Sequence, residues 1–392
     1  MGSIPALVNR VLLRWARETA GLDVAAAARK LHRPDSDLMA WEEGTALPSI
    51  AQLREVARVY RRPSAVFFLS QVPPDVSVLP DLRTLSADRP RAFSSDLRFL
   101  IRSARERQRW LHDALVEAGE PPVKFVGALS MDSDAAEAAR RVRSLLGVDD
   151  GPRRGSMRDA LRRWIDAVEG SGVFVFQSGE VPVEEMRGFA LPDAYAPVIG
   201  LNAGDAMAGR VFTVLHEFVH VMLGVEGVSD LVPIRPPRAT AKPIEAYCNR
   251  VAAEVLAPAA VVEQAVQRGG RSAQADELIE ELSRSLRVSR EVVARRLLDL
   301  GYISKRAYLE RRRRYQRAVE ELEEEREQRG FVHPAQRAIR DNGRALTRLA
   351  LSAYANEKIG GAELSRLLGV RLKHLPRMET AAFSASSAGA PL

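Results

Sequence analysis

Residues 206–224 read AMAGRVFTVLHEFVHVMLG, and after a polar, Pro-rich break residues 244–258 read IEAYCNRVAAEVLAP. At the centre of the first stretch stands His216-Glu217-Phe218-Val219-His220, an H-E-x-x-H pattern. On a helix, residues at i and i+4 share a face, so the two imidazoles can grip one metal ion. Glu217 falls about 100° further round, where its carboxylate can take a proton from a water beside that ion. By composition alone the pattern arises in roughly one in a hundred chains of this length, so its setting matters. Val211, Phe212, Val214, Leu215, Phe218, Val219, Val221, Met222 and Leu223 make the stretch apolar nearly all round. That predicts a helix buried inside a domain and stopped by Gly224. Two histidines and a carboxylate are costly there unless a metal or hydrogen-bond partners satisfy them.

A catalytic zinc takes three protein ligands and keeps one position open. The second stretch predicts a helix over 243–256 that offers Glu245, Cys248, Asn249 and Glu254. Glu245 and Glu254 are nine residues apart, about 180° round a helix, so they cannot both face one ion. Glu245 shares its face with Asn249, and small Ala252 and Ala253 let the two helices approach closely. Glu245 is therefore the expected third ligand, and Glu254 an exposed or capping carboxylate. Cys248 is a softer alternative ligand or a small buried residue. Tyr247 lies about 200° from Glu245 and is expected to point away. Zinc is the default ion for this donor set, and manganese or iron fit the same donors.

Taken together, RVFTVLHEFVHVMLG and EAYCNRVAAEVLAP resemble the ImmA/IrrE-type metallopeptidases, whose pattern is H-E-x-x-H followed by E-x-x-x-N-x-x-A-A-x-x-L-x-P. The resemblance implies zinc ligands at His216, His220 and Glu245 and a general base at Glu217. Cys248 stands where many relatives carry Ala. The resemblance further implies a zincin-like α+β peptidase domain and a cytoplasmic regulatory protease that cuts a repressor or antitoxin.

Three β-prone runs precede the metal helix: VFVFQ at 173–177, MRGFAL at 186–191 and PVIGLN at 197–202. They predict a small antiparallel sheet on that helix, with an amphipathic helix over 157–170 leading in. A sheet edge beside the ion would let an extended substrate add as a strand. Asn202 is expected to act as a cap or turn residue.

Nearer the N-terminus, residues 8–69 predict five short helices, with Asp23, Asp35 and Ser49 as N-caps, Gly21 and Gly44 as stops, and Pro63 opening the fifth. The run GLDVAAAARKLHRPDSDLMAWEEGTALPSIAQLREVARVY resembles the helix-turn-helix domain of Cro/C1-type repressors. The resemblance makes double-stranded DNA a candidate partner, with Arg29, Lys30, Arg33 and Ser36 as candidate contacts. Asp35 and Asp37 stand where phosphates would approach and oppose such binding. Partner docking or homodimerisation is the competing use of this domain.

The expected organisation is mainly α and multidomain. It comprises a helix-turn-helix domain over 1–72, a linker and basic helical segment over 73–154, the peptidase domain over 155–268, a helix-turn-helix-like extension over 269–304, a charged helix over 305–330, a C-terminal helical module over 331–380 and a disordered tail over 381–392. In the basic segment Arg98, Arg102, Arg105 and Arg109 recur at helical spacing, with Phe99, Trp110 and Leu111 as the apolar side. These arginines read as a nucleic-acid stripe or as snorkelling side chains of a packed helix. The charged helix is expected to be supported by Glu310–Arg314 and Arg317–Glu321 pairs. The stretch LTRLALSAYANEKIGGAELSRLLGV again resembles helix-turn-helix or antitoxin-like segments. His32, His112, His333 and His374 have no partner at metal-ligand spacing.

With 392 residues and 46% hydrophobic content, the chain can build more than one core. Its one cysteine excludes an intramolecular disulfide framework. No run of about 18 apolar residues and no signal-peptide pattern occurs, so a cytoplasmic protein away from membranes is expected. The net charge of +7 permits nucleic-acid contact without requiring it. A non-proteolytic antitoxin or transcriptional regulator, holding a cognate toxin or DNA, is the alternative to the peptidase.

Overall fold

Side-chain caps set out the first helices. Asn9 accepts the Val11 N–H at 3.0 Å and starts α1 (Arg10–Thr19), and Asp23 accepts from Ala26 at 2.6 Å and starts α2 (Val24–Leu31). α3 (Asp35–Glu43) departs from expectation, because its N-cap is Pro34 and not Asp35. The proline ring presets the entry angle, which leaves Asp35 in the first turn facing the positive end of the helix dipole. A reciprocal Ser49–Gln52 box opens α4 (Ile50–Val59), and a 3₁₀ turn at Ser64–Phe68 follows Pro63. Leu12, Leu13, Ala27, Leu38, Trp41, Leu53, Val56 and Phe67 fill the core of this unit. Arg17 donates to both carboxylate oxygens of buried Glu42, at 2.7 and 3.0 Å, and ties α1 to α3.

The computed structural model describes residues 4–73, 93–149, 155–229, 242–269, 275–324 and 333–383. Residues 74–91 of the linker expected over 73–91, the Pro-rich break over 230–241, the acidic end of the charged helix past 324 and residues 384–392 of the expected tail lie outside these residues, whereas 381–383, expected in the disordered tail, are helical. The chain divides into two units, with the change falling between residues 106 and 107. That point lies within α5 (Ser95–Glu117). Leu97, Leu100, Ile101, Ala104 and Leu111 are its buried stripe. Phe99 and Trp110 stand only half-buried, and Phe99 is covered by the guanidinium of Arg61 at 4.4 Å.

In the second unit, α6 (Ala135–Leu146) is capped by Asp134 and packs on α9 (Lys242–Leu256). α7 (Met157–Gly170) opens with a Ser156–Asp159 box. A four-stranded sheet of β1 (Phe174–Ser178), β2 (Gly188–Leu191), β3 (Val198–Asn202) and β4 (Gly227–Ser229) runs in the order β1-β3-β2-β4. The β2–β3 and β2–β4 pairings are antiparallel, but β1 and β3 are parallel, so the sheet is mixed and not the antiparallel one expected. The chain reverses between β1 and β2 and again between β2 and β3, and β3 inserts between its two predecessors. A strand placed next to the one two before it must run the same way. α8 (Met207–Leu223) lies on β2 and β3 and is flanked by α7 and α9.

The chain continues as α10 (Ala259–Gly269), α11 (Ala275–Leu286), α12 (Arg290–Asp299), α13 (Lys305–Glu324), α14 (Pro334–Asn342), α15 (Arg344–Ala355), α16 (Gly361–Leu368) and α17 (Leu375–Phe383). Ser289 caps α12 as expected. Arg314 reaches Asp276 of α11 at 3.1 Å instead of pairing with Glu310 along its own helix. Packing across helices holds the cation where spacing along the sequence suggested a local pair.

α14 packs on the edge strand β1. There the Glu169 carboxyl accepts backbone N–H groups of Val175 and Ala345, and Gly343 at φ +74° lies so close that a Cβ would meet Glu169 Oε1 at 2.5 Å and the Val175 carbonyl at 2.6 Å. The β1 edge is thus occupied, which leaves β4 as the other edge of the sheet. Burial, reinforced by the Asp166 charge, raises the Glu169 pKa from 4.5 to about 7. Between those values the folded chain holds a proton that the unfolded chain releases, so stability falls as pH rises through that window. At about 1.4 kcal/mol per unit the loss is on the order of 3 kcal/mol. Glu169→Gln is expected to flatten the dependence, read as urea midpoints at pH values below and above the window.

Candidate metal centre

The apolar positions that bury α8 carry its polar residues inward with them. His216, Glu217 and His220 are buried, and Glu245 on α9 is 4% exposed. The small residues Ala252 and Ala253 lie buried on α9, which packs directly on α8. His216 Nε2 is 3.2 Å from one Glu245 oxygen, His220 Nε2 is 3.0 Å from the other, and the two Nε2 atoms are 3.1 Å apart. Among the described residues this is the one group of three or more His, Cys, Asp or Glu donors that could hold a metal ion. Donors bonded at about 2.0–2.1 Å in tetrahedral array would stand about 3.3 Å apart, so the triangle fits a first-row divalent ion.

The three ionisable groups of the cluster act strongly on one another. Burial disfavours the Glu245 carboxylate, but both histidines outweigh it and bring its pKa down to about 2. Burial works against His216 as well, yet the charge and hydrogen bond of Glu245 leave its pKa raised. His220 is lowered by burial, with His216 adding to the effect. The group presents the Glu245 carboxyl and both imidazole Nε2 atoms toward one point, with Asn249 one turn beyond Glu245 on the same helix.

Glu217 faces the sheet. A Cβ on Gly188 of β2 would sit 2.5 Å from Thr213 Cγ2 and 2.7 Å from Glu217 Oε1. The missing side chain of Gly188 is what admits the carboxylate, and Gly188 is also the register partner of Ser229 on the β4 edge. Gly188→Ala is expected to destabilise the second unit by about 1–3 kcal/mol through overpacking. A melting curve matching the parent's would show that the strand yields without cost.

Other residues singled out in the sequence fall elsewhere. Cys248 is buried beside the cluster, its thiol pKa pushed up by burial and by Glu245 and Glu217. Glu254 caps α10 through Ala259 N–H at 3.0 Å and pairs with buried Arg296. Tyr247 lies toward Ser133 and Asp134, away from the histidines. Asn202, expected at a cap or turn, is fully buried; it donates to the Val181 and Met186 carbonyls and accepts from Gly204, all at 2.8 Å. It fixes the loop before β2 to the turn before α8. In the first unit Arg29, Lys30, Arg33 and Ser36 are exposed, with Arg33 paired to Asp37 at 3.4 Å. Gly188 is the contact of the site that the sequence reading did not mark. A lone glycine inside a strand was a signal of close approach that could have marked it.

Residues 169–298 match the peptidase-family model described as the IrrE N-terminal-like domain, and residues 10–66 match one described as a helix-turn-helix domain. No curated protein matches the chain. Among solved structures, a Mycobacterium tuberculosis transcriptional regulator is similar over 49% of this chain at 14% identity and a TM-score of 0.29. The match spans about half of that protein, at 51%, and the resemblance is too slight to carry structural weight. No described helix is long and apolar enough to cross a membrane.

Proposed function

We propose that the chain is a cytoplasmic regulatory metallo-endopeptidase that cleaves a protein partner such as a repressor or antitoxin. The convergence of His216, His220 and Glu245 within 3.0–3.2 Å carries this reading. The two matched domains support a regulator of the ImmA/IrrE type. His216, His220 and Glu245 would hold the ion, zinc by donor set. When bound, such an ion polarises a carbonyl and lowers the pKa of water toward about 7.

The chain's own groups do the rest. Glu217, buried against Gly188 and one residue from His216, accepts the proton of the attacking water and returns it to the leaving amine. β4, at the sheet edge and in register with Gly188, offers backbone groups on which an extended substrate can align. Hydrolysis of the protein encoded beside this gene, abolished by a chelator and restored by zinc, tests the proposal; an intact neighbour after loading counts against it.

The helix-turn-helix match favours a second reading, a transcriptional regulator or antitoxin in which the metal group only stabilises the fold and the partner is DNA or a toxin. It predicts metal binding without hydrolysis.

A further inference from the structure

The C-terminal module again places two short helices either side of a tight turn, and the start of its second helix is basic where the start of α3 in the first domain is acidic. α16 (Gly361–Leu368) ends at Gly369, whose φ of +62° turns the chain, and Val370 and Arg371 complete a three-residue turn. A 3₁₀ turn at Leu372–His374 then runs directly into α17. Leu364, Leu368, Val370, Leu375 and Met378 are buried, and α15 packs on both helices. Ser365 Oγ donates to the Val370 carbonyl at 2.6 Å and locks the turn. In such motifs the start of the second helix enters the major groove while the first helix crosses the backbone.

Arg371, Lys373 and Arg377 are exposed at that leading end, with Lys373 and Arg377 one helical turn apart. α14 adds to them: the His333 ring stands edge-on to His374 at 5.5 Å, and exposed Arg337 lies one turn beyond His333. Glu379 lies about 200° round α17 from Arg377, and Glu363 is half-buried on α16. Desolvation, followed by Lys373, His333, Arg371 and Arg377, lowers the pKa of His374, as expected within a positive patch. The corresponding helix of the first domain, α3, instead exposes Asp35, Ser36 and Met39.

We infer that the α16–α17 pair is a nucleic-acid-binding surface, which sets Arg371, Lys373 and Arg377 against the phosphates of duplex DNA. Charge complementarity selects the partner. Each cation in contact with a phosphate releases counterions and adds about 0.9 to the salt slope of log K.

The test is fluorescence anisotropy of the full chain with a labelled mixed-sequence duplex of about 30 base pairs, at salt concentrations between about 50 and 200 mM. The Arg371→Ala/Lys373→Ala/Arg377→Ala variant is expected to bind at least about tenfold more weakly, with a slope shallower by about 3. Arg29→Ala/Lys30→Ala/Arg33→Ala on the first domain should change the slope less. Single Lys373→Gln and Arg377→Gln variants, each expected to cost about 0.9 in slope, decide the matter if the triple variant melts early. Failure of the parent chain to bind the duplex overturns the inference, as does an unchanged slope in the single variants. Capture by soluble polyglutamate with no duplex binding also overturns it, in favour of an acidic protein partner.

Discussion

Glu217→Gln is expected to reduce hydrolysis of the protein partner by about 10²–10⁴-fold while leaving metal affinity within a small factor of the parent's. The amide has the carboxylate's shape and fits the space left by Gly188 and Thr213, so packing is preserved. It cannot accept a proton from water, so only chemistry that needs a base is lost. Paired time courses of cleavage and metal content by mass spectrometry read the two quantities separately. Equal cleavage by both proteins would remove Glu217 from the mechanism. Absence of cleavage by either, with metal bound, would leave the second reading of the site.

Removing the ion or its third ligand should have the other large effect. The cluster buries two imidazoles and a carboxylate in contact, an arrangement that a divalent cation neutralises and hydrogen bonds alone only partly offset. At free zinc about 100-fold above its dissociation constant, binding adds about 2.7 kcal/mol to folding. For a unit of this size that corresponds to roughly 5–10 °C in melting temperature. Glu245→Ala should weaken zinc binding on the order of 100-fold or more and abolish the zinc-dependent shift. Glu254→Ala, nine residues along the same helix, should leave zinc affinity unchanged and lower stability through the lost Arg296 pair and the α10 cap. If both variants keep the zinc shift, His216, His220 and Glu245 are not the site.

Helix spacing in α8 and α9 was readable because side-chain direction there is a local property. Four residues return His220 to the face of His216, and nine carry Glu254 away from Glu245. The caps at Asp23, Ser49 and Ser289 were readable for the same reason, since each bonds backbone within its own first turn. Asp35 was the exception, because Pro34 took the cap position. Strand pairing was less accessible. The β-prone runs stood within a residue or two of β1, β2 and β3, yet nothing in them says that β3 inserts between β1 and β2 or that β1 runs parallel to it.

The sequence by itself determined a buried helix with two imidazoles on one face, a second helix with a carboxylate aimed the same way, and a helix-turn-helix unit ahead of them. Each follows from periodicity or capping within about a dozen residues. Only the tertiary structure decided the closing of Glu245 onto both histidines, the fit of Glu217 against Gly188, the burial of the β1 edge under α14 and the meeting of His333 with His374. Those contacts join residues tens of positions apart. They are set by which elements pack together, and no local pattern encodes that choice.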